Sequence, residues 1–441
     1  MRFRSPRLLT AALALLTAAG AGAQEVSDPR TNSPFSRFGV GDVQRPGFAA
    51  QSAMGGTGVA YANPHIANEL NPASLGALRY ASYQVGVNVS RDRLSGGGVE
   101  NEGLNGNLGY LSLAFTTRNT LNDLLDARQR RTRYATQLAV TPYSTQGYSI
   151  VTTGTQPEIG EVVNTFIGTG GFYRLRSAHA LEIDQKLRLG LSASYLFGRT
   201  NAQNRVATAD LPTSSTITDT ESSRVRGVEL AAGAQYDLVL AKADERATKI
   251  LTLGATAAYT GDLTGSTERS ITSVSNFRTR DTLSFDGDAE QRLTMPLRYG
   301  FGVVYKHYNK LQLGADFEYA TWDRFANRLR PAERLESGYR VSVGGEWIPD
   351  VQAFNKYHRT VRYRFGAYLQ QDPRRGVDRD QGVSFGVGLP VVRPREELSY
   401  VNLSINAGNL VTPGDIDQRY LRFTAGFTLT DNSWFYKRRF K

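Results

Sequence analysis

From Tyr80 toward the C-terminus, apolar and polar positions alternate with a period of two, the signature of strands with two unlike faces. In YASYQVGVNVS, Ala81, Tyr83, Val85, Val87 and Val89 share one face, and Ser82, Gln84, Gly86, Asn88 and Ser90 the other. In RLGLSASYLFG, Leu189, Leu191, Ala193, Tyr195 and Phe197 oppose Gly190, Ser192 and Ser194. KLQLGADFEYATW sets Leu311, Leu313, Ala315, Phe317 and Tyr319 against Gln312, Gly314, Asp316 and Glu318. The pattern predicts about fourteen strands, starting near residues 81, 108, 133, 162, 187, 225, 249, 293, 310, 335, 359, 381, 399 and 419. Each is close to the ~9 to 11 residues that a tilted membrane strand needs.

Two features favour a membrane barrel over a soluble sandwich or propeller. The apolar faces are rich in aromatic residues, with Tyr259, Tyr305, Trp322 and Trp347 near strand ends in the manner of an interfacial girdle. The connections alternate in length: long polar loops are expected around 199–222 and 262–290, short turns around 307 and 391–397. Hydrocarbon offers no partner to a free backbone group, so such a sheet must close. The expected fold class is therefore all-β, a transmembrane antiparallel β-barrel of about fourteen strands with an N-terminal lumenal hatch containing short helices.

The first residues change the address. Arg2, Arg4 and Arg7 precede a short apolar run, Leu8 to Ala18, and Ala21 and Ala23 form a cleavage pattern. Residues 1–23 are expected to be a signal peptide, with the mature chain bound for the outer membrane of a Gram-negative cell. The sequence has no cysteine, which excludes disulfides, thiolate metal sites and a lipid-modified cysteine anchor. The net charge of +11 is scattered, which fits solubility and an anionic membrane surface rather than nucleic acid.

Residues 24–79 show no sustained alternation and are rich in Gly, Asn, Pro and Ala. Asn71 suits a helix cap and Pro72 the first helical position, so Ala73 to Leu78 is expected to form a short helix. Gly55, Gly56 and Gly58 allow tight turns and close packing. The segment is expected to plug the barrel from within; a periplasmic tail is the alternative. Residues 80–441 then make the barrel.

Candidate chemistry is sparse. Glu229, Arg298, Asp316, Glu318, Arg340, Arg362, Arg364 and Arg422 fall on polar faces and are expected to form a lumenal charge network. Asp316 and Glu318, two apart on one face, are expected to pair with Arg298, Arg340 or Arg362 rather than to act as an acid and base. Of four histidines, His65 lies in the plug, and His179, His307 and His358 are placed in or near turns, none beside a serine in mid-strand. GGTG at 55–58 and GTGG at 168–171 lack the lysine and helix of a phosphate loop. No enzymatic activity, cofactor or metal is expected. Pro142 cannot donate to a ladder, so with Gly147 it either ends the third strand at the rim or marks a break that opens the wall sideways.

The run AMGGTGVAYANPHIANELNPASLGAL resembles the N-terminal hatch of long-chain fatty-acid transporter (FadL/TodX-type) outer-membrane barrels, including their NPA element, here Asn71, Pro72 and Ala73. AVTPYSTQGY, GGFYRL, MPLRYGFGVVYK, GADFEYATWDRF and SFGVGLPV are similar in the same order, and NSPFSRFGVGD looks like a branch of that family. The resemblance implies a fourteen-strand barrel, a lumenal hatch as gate, diffusion of a hydrophobic small-molecule ligand, and lateral release through a kinked early strand. The polar loops depart from the family's ligand-docking pattern. Two functions are therefore carried forward: a channel for fatty-acid-like compounds gated by the hatch, and a non-transporting partner barrel in an outer-membrane protein secretion or assembly complex. Outer-membrane lipid is an expected contact of either.

Overall fold

The computed structural model describes residues 33–431 apart from 46, 118–130, 158–159, 209–214, 244–245, 275–279, 309, 352, 354–355, 393–397 and 415. The expected signal peptide and the basic C-terminal tail lie outside the described residues.

A closed fourteen-strand antiparallel barrel forms the wall. Its first strands are β2 (Ala81–Gly96), β3 (Val99–Thr116), β4 (Thr132–Gln156), β5 (Gly160–Ile183), β6 (Leu187–Thr208) and β7 (Thr216–Ala243). The next two staves are each broken once. β8 (Arg246–Thr260) continues into β9 (Leu263–Val274), and β7 pairs with both. β10 (Arg280–Thr294) continues past Met295 and Pro296 into β11 (Leu297–His307). β12 (Leu311–Ala320), β14 (Gly338–Trp347), β15 (Arg362–Gln371), β16 (Arg379–Val392), β17 (Leu398–Val411) and β18 (Asp417–Asp431) complete the circuit. β13 (Ala326–Asn327) is a short piece paired with β10. β18 returns to pair with β2 from Asp417↔Ser95 to Asp431↔Ala81, which closes the cylinder.

The period-two pattern sets which face is greasy. Leu189, Leu191, Tyr195 and Phe197 of β6 and Val228 and Leu230 of β7 are exposed on the outside, as are Phe365, Val383 and Phe385. Between them, Ser192, Ser194 and Glu229 are buried inside. Water-facing burial is thus inverted relative to a soluble protein, as lipid contact requires.

The predicted long loops at 199–222 and 262–290 are not loops. Most of each belongs to strands: β6 and β7 pair up to Val206↔Ile217, and β9 and β10 up to Val274↔Arg280. These hairpins rise above the hydrocarbon span, where either face is polar, so no apolar alternation announces them. β4 and β5 rise likewise, to Gln156↔Gly160.

Residues 33–79 occupy the lumen as a plug. They contain a 3-10 turn (Pro34–Arg37), β1 (Asp42–Val43), a one-turn helix (Ala49–Ser52) and a 3-10 helix (Pro72–Ala77). The last is the helix expected at Ala73 to Leu78, wound more tightly. Asn71 caps it, its side chain accepting from the Ala73 N–H at 3.0 Å, and Pro72 fills the first position.

Candidate functional site

The plug sits against wall glycines, where a Cβ would collide. A Cβ on Gly190 would meet Ala73 and Pro72, one on Gly233 would meet Asn71, and one on Gly254 would meet Val59 and Ala60. Gly344 and Gly366 leave the same room for Met54, and Gly386 for Ala53. Several of these glycines are register partners, Gly190 with Gly233 and Gly344 with Gly366. The wall's inner surface is therefore pared to backbone at the level where the plug's own backbone presses on it.

Hydrogen bonds fix the plug's orientation. The Asn71 side-chain amide donates to the carbonyls of Val59 (2.8 Å), Ala234 (3.3 Å) and Ala255 (3.2 Å), tying the NPA turn to the wall. Gly55 and Gly56 turn with φ of 65° and 80°, the left-handed region that favours glycine. The Gly55 N–H donates to Ser384 Oγ at 2.7 Å. Asp316 accepts the N–H groups of Gly58 (2.6 Å) and Val59 (2.9 Å) through one oxygen.

Ion pairs between plug and wall lie above and below this belt. Arg174 of β5 holds Glu69 of the plug at 2.6 Å and Glu229 of β7 at 3.3 Å, all three buried. Glu69 also accepts from Thr141 at 3.0 Å, and its carbonyl accepts from Arg176. Arg79 pairs with Glu182 at 2.9 Å. Arg45 pairs with Glu318, and Asp42 with Arg374.

The charges read from the sequence divide as follows. Glu229 and Arg298 pair with each other. Arg362 and Arg364 share Glu346, at 2.6 and 2.8 Å, and Arg364 also donates to Asn402. Arg340 donates to Gln370 and to the Gly55 carbonyl and lies over the Tyr368 ring. Arg422 lies over the Tyr420 ring rather than beside a carboxylate. The expected partners of Asp316 and Glu318 need correction. Neither pairs with Arg298, Arg340 or Arg362; Asp316 takes plug N–H groups and Glu318 takes plug Arg45. A carboxylate aimed into a plugged lumen meets the plug first. Sequence reasoning missed Arg45, Glu69, Arg174 and Glu346. The only signal for Glu69 was a lone carboxylate within the uncharged HIANELNPA run.

His179 also needs correction. It lies within β5, not in a turn, and its Nε2 is 3.3 Å from Ser177 Oγ, since residues two apart share a strand face. Its Nδ1 meets the hydroxyls of Tyr134 (2.5 Å) and Thr136 (3.1 Å), an exposed aromatic-hydroxyl cluster with no orienting carboxylate among the described residues.

The wall is irregular where β3 meets β4. β3 and β4 pair only from Leu111↔Val140 to Thr116↔Ala135. β4 runs on through Pro142, and the register slips between Pro142 and Ser144, turning Tyr143 inward. Neither expected reading is met simply: the strand does not end at Pro142, yet its ladder to β3 stops just below. The freed edge of β4 is met by the plug. β1 pairs as Asp42↔Thr145 and Val43↔Ser144. Both backbone groups of Gly147 bond to Ser36 Oγ at 3.1 Å.

Above the plug lies a cavity of about 1300 Å³. Its lining is mixed: Phe38, Leu70, Trp322 and Leu335 are part of it, and so are Arg174, Arg176, Arg298, Arg340, Arg374 and Arg422.

The BamG family model matches residues 7–441, nearly the whole chain. The chain belongs to the BamG family. No curated protein matches the sequence. Among solved structures, the Pseudomonas putida toluene transporter TodX is similar with a TM-score of 0.57 and 16% identity over 89% of this chain and 99% of that one. The CymD monoaromatic hydrocarbon channel is similar at 0.55 and 16%, with the same coverage. A Pseudomonas aeruginosa FadL homologue is similar at 0.55 and 12%, over 88% and 99%. At these identities the likeness is one of fold. This member of the BamG family thus shares the fold of these channels.

Proposed function

We propose that this chain is a non-transporting partner barrel of an outer-membrane protein complex. The observation that carries this reading is the bonding of plug to wall. Four ion pairs, the Asn71 and Asp316 bonds and the glycine seats would all have to part before the lumen opened. Breaking one partner of a buried pair costs about 3 to 5 kcal/mol. The cavity above supports the same reading. Pockets for apolar ligands are lined mainly by apolar side chains with few polar groups, and the half-buried Arg298, Arg340 and Arg422 would have to surrender hydration to a greasy guest. The tall β4–β7 and β9–β10 hairpins offer a stiff surface beyond the membrane, and the edge of β3 before Leu111, which β4 does not pair, can accept a partner strand.

The β3–β4 seam favours a second reading. A hydrophobic molecule would enter the upper cavity, the plug would shift about Gly55–Gly58 and Asn71–Ala73, and the cargo would leave sideways near Pro142 and Gly147. Purification from outer membranes in mild detergent separates the two. The partner reading expects a stoichiometric membrane protein bound to the barrel and unchanged uptake of fatty acid or toluene in a deletion strain. A lone barrel with apolar cargo in its cavity, and uptake lost on deletion, would overturn it.

A further inference from the structure

The outer face of the wall carries a basic cluster that neither function uses. Arg199 of β6 and Arg224 of β7 are direct register partners, and Phe197 faces Arg226 one step below. The side chains of Arg224 and Arg226 point outward, because Val225 between them is buried against the lumenal cluster and both arginines are exposed. Like charges directly opposite on one face of a sheet repel. Among the described residues Arg199 bonds to neutral groups, Asn201 at 3.1 Å and Ser222 at 2.7 Å. Arg224 and Arg226 have no ion pair among the described residues, although Glu268 lies on the next strand opposite Ser222. Other exposed arginines of the upper wall do have carboxylates: Arg292 has Asp262, Arg269 has Asp219, and Arg328 has Glu290.

Directly below the cluster lies an outward aromatic patch. Phe197 stacks on Tyr173 and on Tyr195, with ring centroids 6.3 and 5.7 Å away. Tyrosine and phenylalanine on a barrel's exterior mark the boundary between acyl chains and headgroups. Arg199 and Arg224 therefore stand at headgroup height, one step above rings that face lipid tails, with Arg226 level with Phe197. Arginine's planar fork suits phosphate oxygens two at a time.

We propose that Arg199, Arg224 and Arg226 bind the phosphate of a membrane amphiphile in the leaflet at the barrel's upper rim, with Tyr173, Tyr195 and Phe197 against its acyl chains. The bound anion relieves the arginine repulsion. The site is independent of whether the lumen conducts.

The test uses the intact barrel in detergent micelles, with diphosphoryl lipid A as the probe and native mass spectrometry as the readout. The wild-type protein is expected to retain lipid A, and Arg199→Gln with Arg224→Gln to weaken binding about tenfold or more. Arg292→Gln, at a paired arginine, is expected to leave it unchanged, and the double lysine variant R199K/R224K to keep most of it. Equal binding by the glutamine variant and the wild type would overturn the proposal. So would displacement of lipid A by millimolar inorganic phosphate, which would make this a site for free phosphate. If the glutamine variant fails to fold, the phosphate competition on wild type decides alone.

Discussion

Glu69 of the plug and Arg174 of the wall form a buried ion pair of 2.6 Å, and the same guanidinium reaches Glu229 at 3.3 Å. One side chain thus bonds two carboxylates, one on a plug segment and one on a strand two staves away. Glu69→Gln removes the plug's share and leaves Arg174 with Glu229. Because Arg174 keeps Glu229, the loss is that of a charge-assisted hydrogen bond, about 1.5 to 3 kcal/mol, and it falls on plug docking rather than on the barrel ladder. The expected outcome is faster amide exchange across residues 66–75 with strand protection unchanged. Equal loss of protection in strands and plug would contradict the division.

The glycine seats make a sharper prediction. A methyl at Gly233 would lie 1.9 Å from Asn71 Oδ1, and one at Gly190 would lie 2.3 Å from the Ala73 nitrogen. Gly233→Ala is therefore expected to unseat the NPA turn while the barrel still closes, since β6 and β7 pair through backbone. Limited proteolysis should cut the plug in the variant and spare it in the wild type. Gly154→Ala, with nothing within 4 Å, is the control and should behave as wild type.

Asp316 tests the plug's middle. It accepts two plug N–H groups, and alanine there would leave both without their acceptor, at about 1 to 3 kcal/mol for each buried group. Asp316→Asn keeps an acceptor oxygen and should retain much of the docking. Plug release measured by urea titration should rank wild type above the asparagine variant and the asparagine variant above the alanine variant.

His65 gives the plug a pH dependence. It stacks on Tyr80 and sits edge-on to Tyr400. Burial, followed by repulsion from Arg362, lowers its pKa to about 3 from an ordinary 6.5. The unfolded segment therefore binds a proton that the docked one refuses, so docking is at full strength above about pH 6.5 and weakens as pH falls toward 3. Protection factors near residues 63–68, taken against the intrinsic exchange rate at each pH, should fall between pH 7 and pH 4.5, and His65→Phe should flatten that response.

Much of the wall was legible because lipid on one side and water on the other impose a period of two. The starts at 81, 133, 187, 310 and 399 fall within a residue of β2, β4, β6, β12 and β17. Legibility failed where that contrast fails. β7 begins at Thr216 rather than 225, and β10 at Arg280 rather than 293, because above the membrane both faces meet water. The Asn71–Pro72 cap was readable since capping is local. The partners of Asp316, Glu318 and Arg174 were not, because they depend on which plug atom is pressed against which stave, and no spacing along the chain encodes that.

If the plug stays seated while the protein works, locking it covalently to the wall leaves function intact. Val43 of β1 and Ser144 of β4 are register partners, and the chain has no cysteine of its own. In a Val43→Cys, Ser144→Cys strain, oxidation should join plug to wall where the β3–β4 seam parts. The oxidised protein is expected to copurify with the proposed membrane partner and to support growth as the reduced protein does. Loss of function on oxidation, restored by reductant together with uptake of an apolar compound, would contradict it.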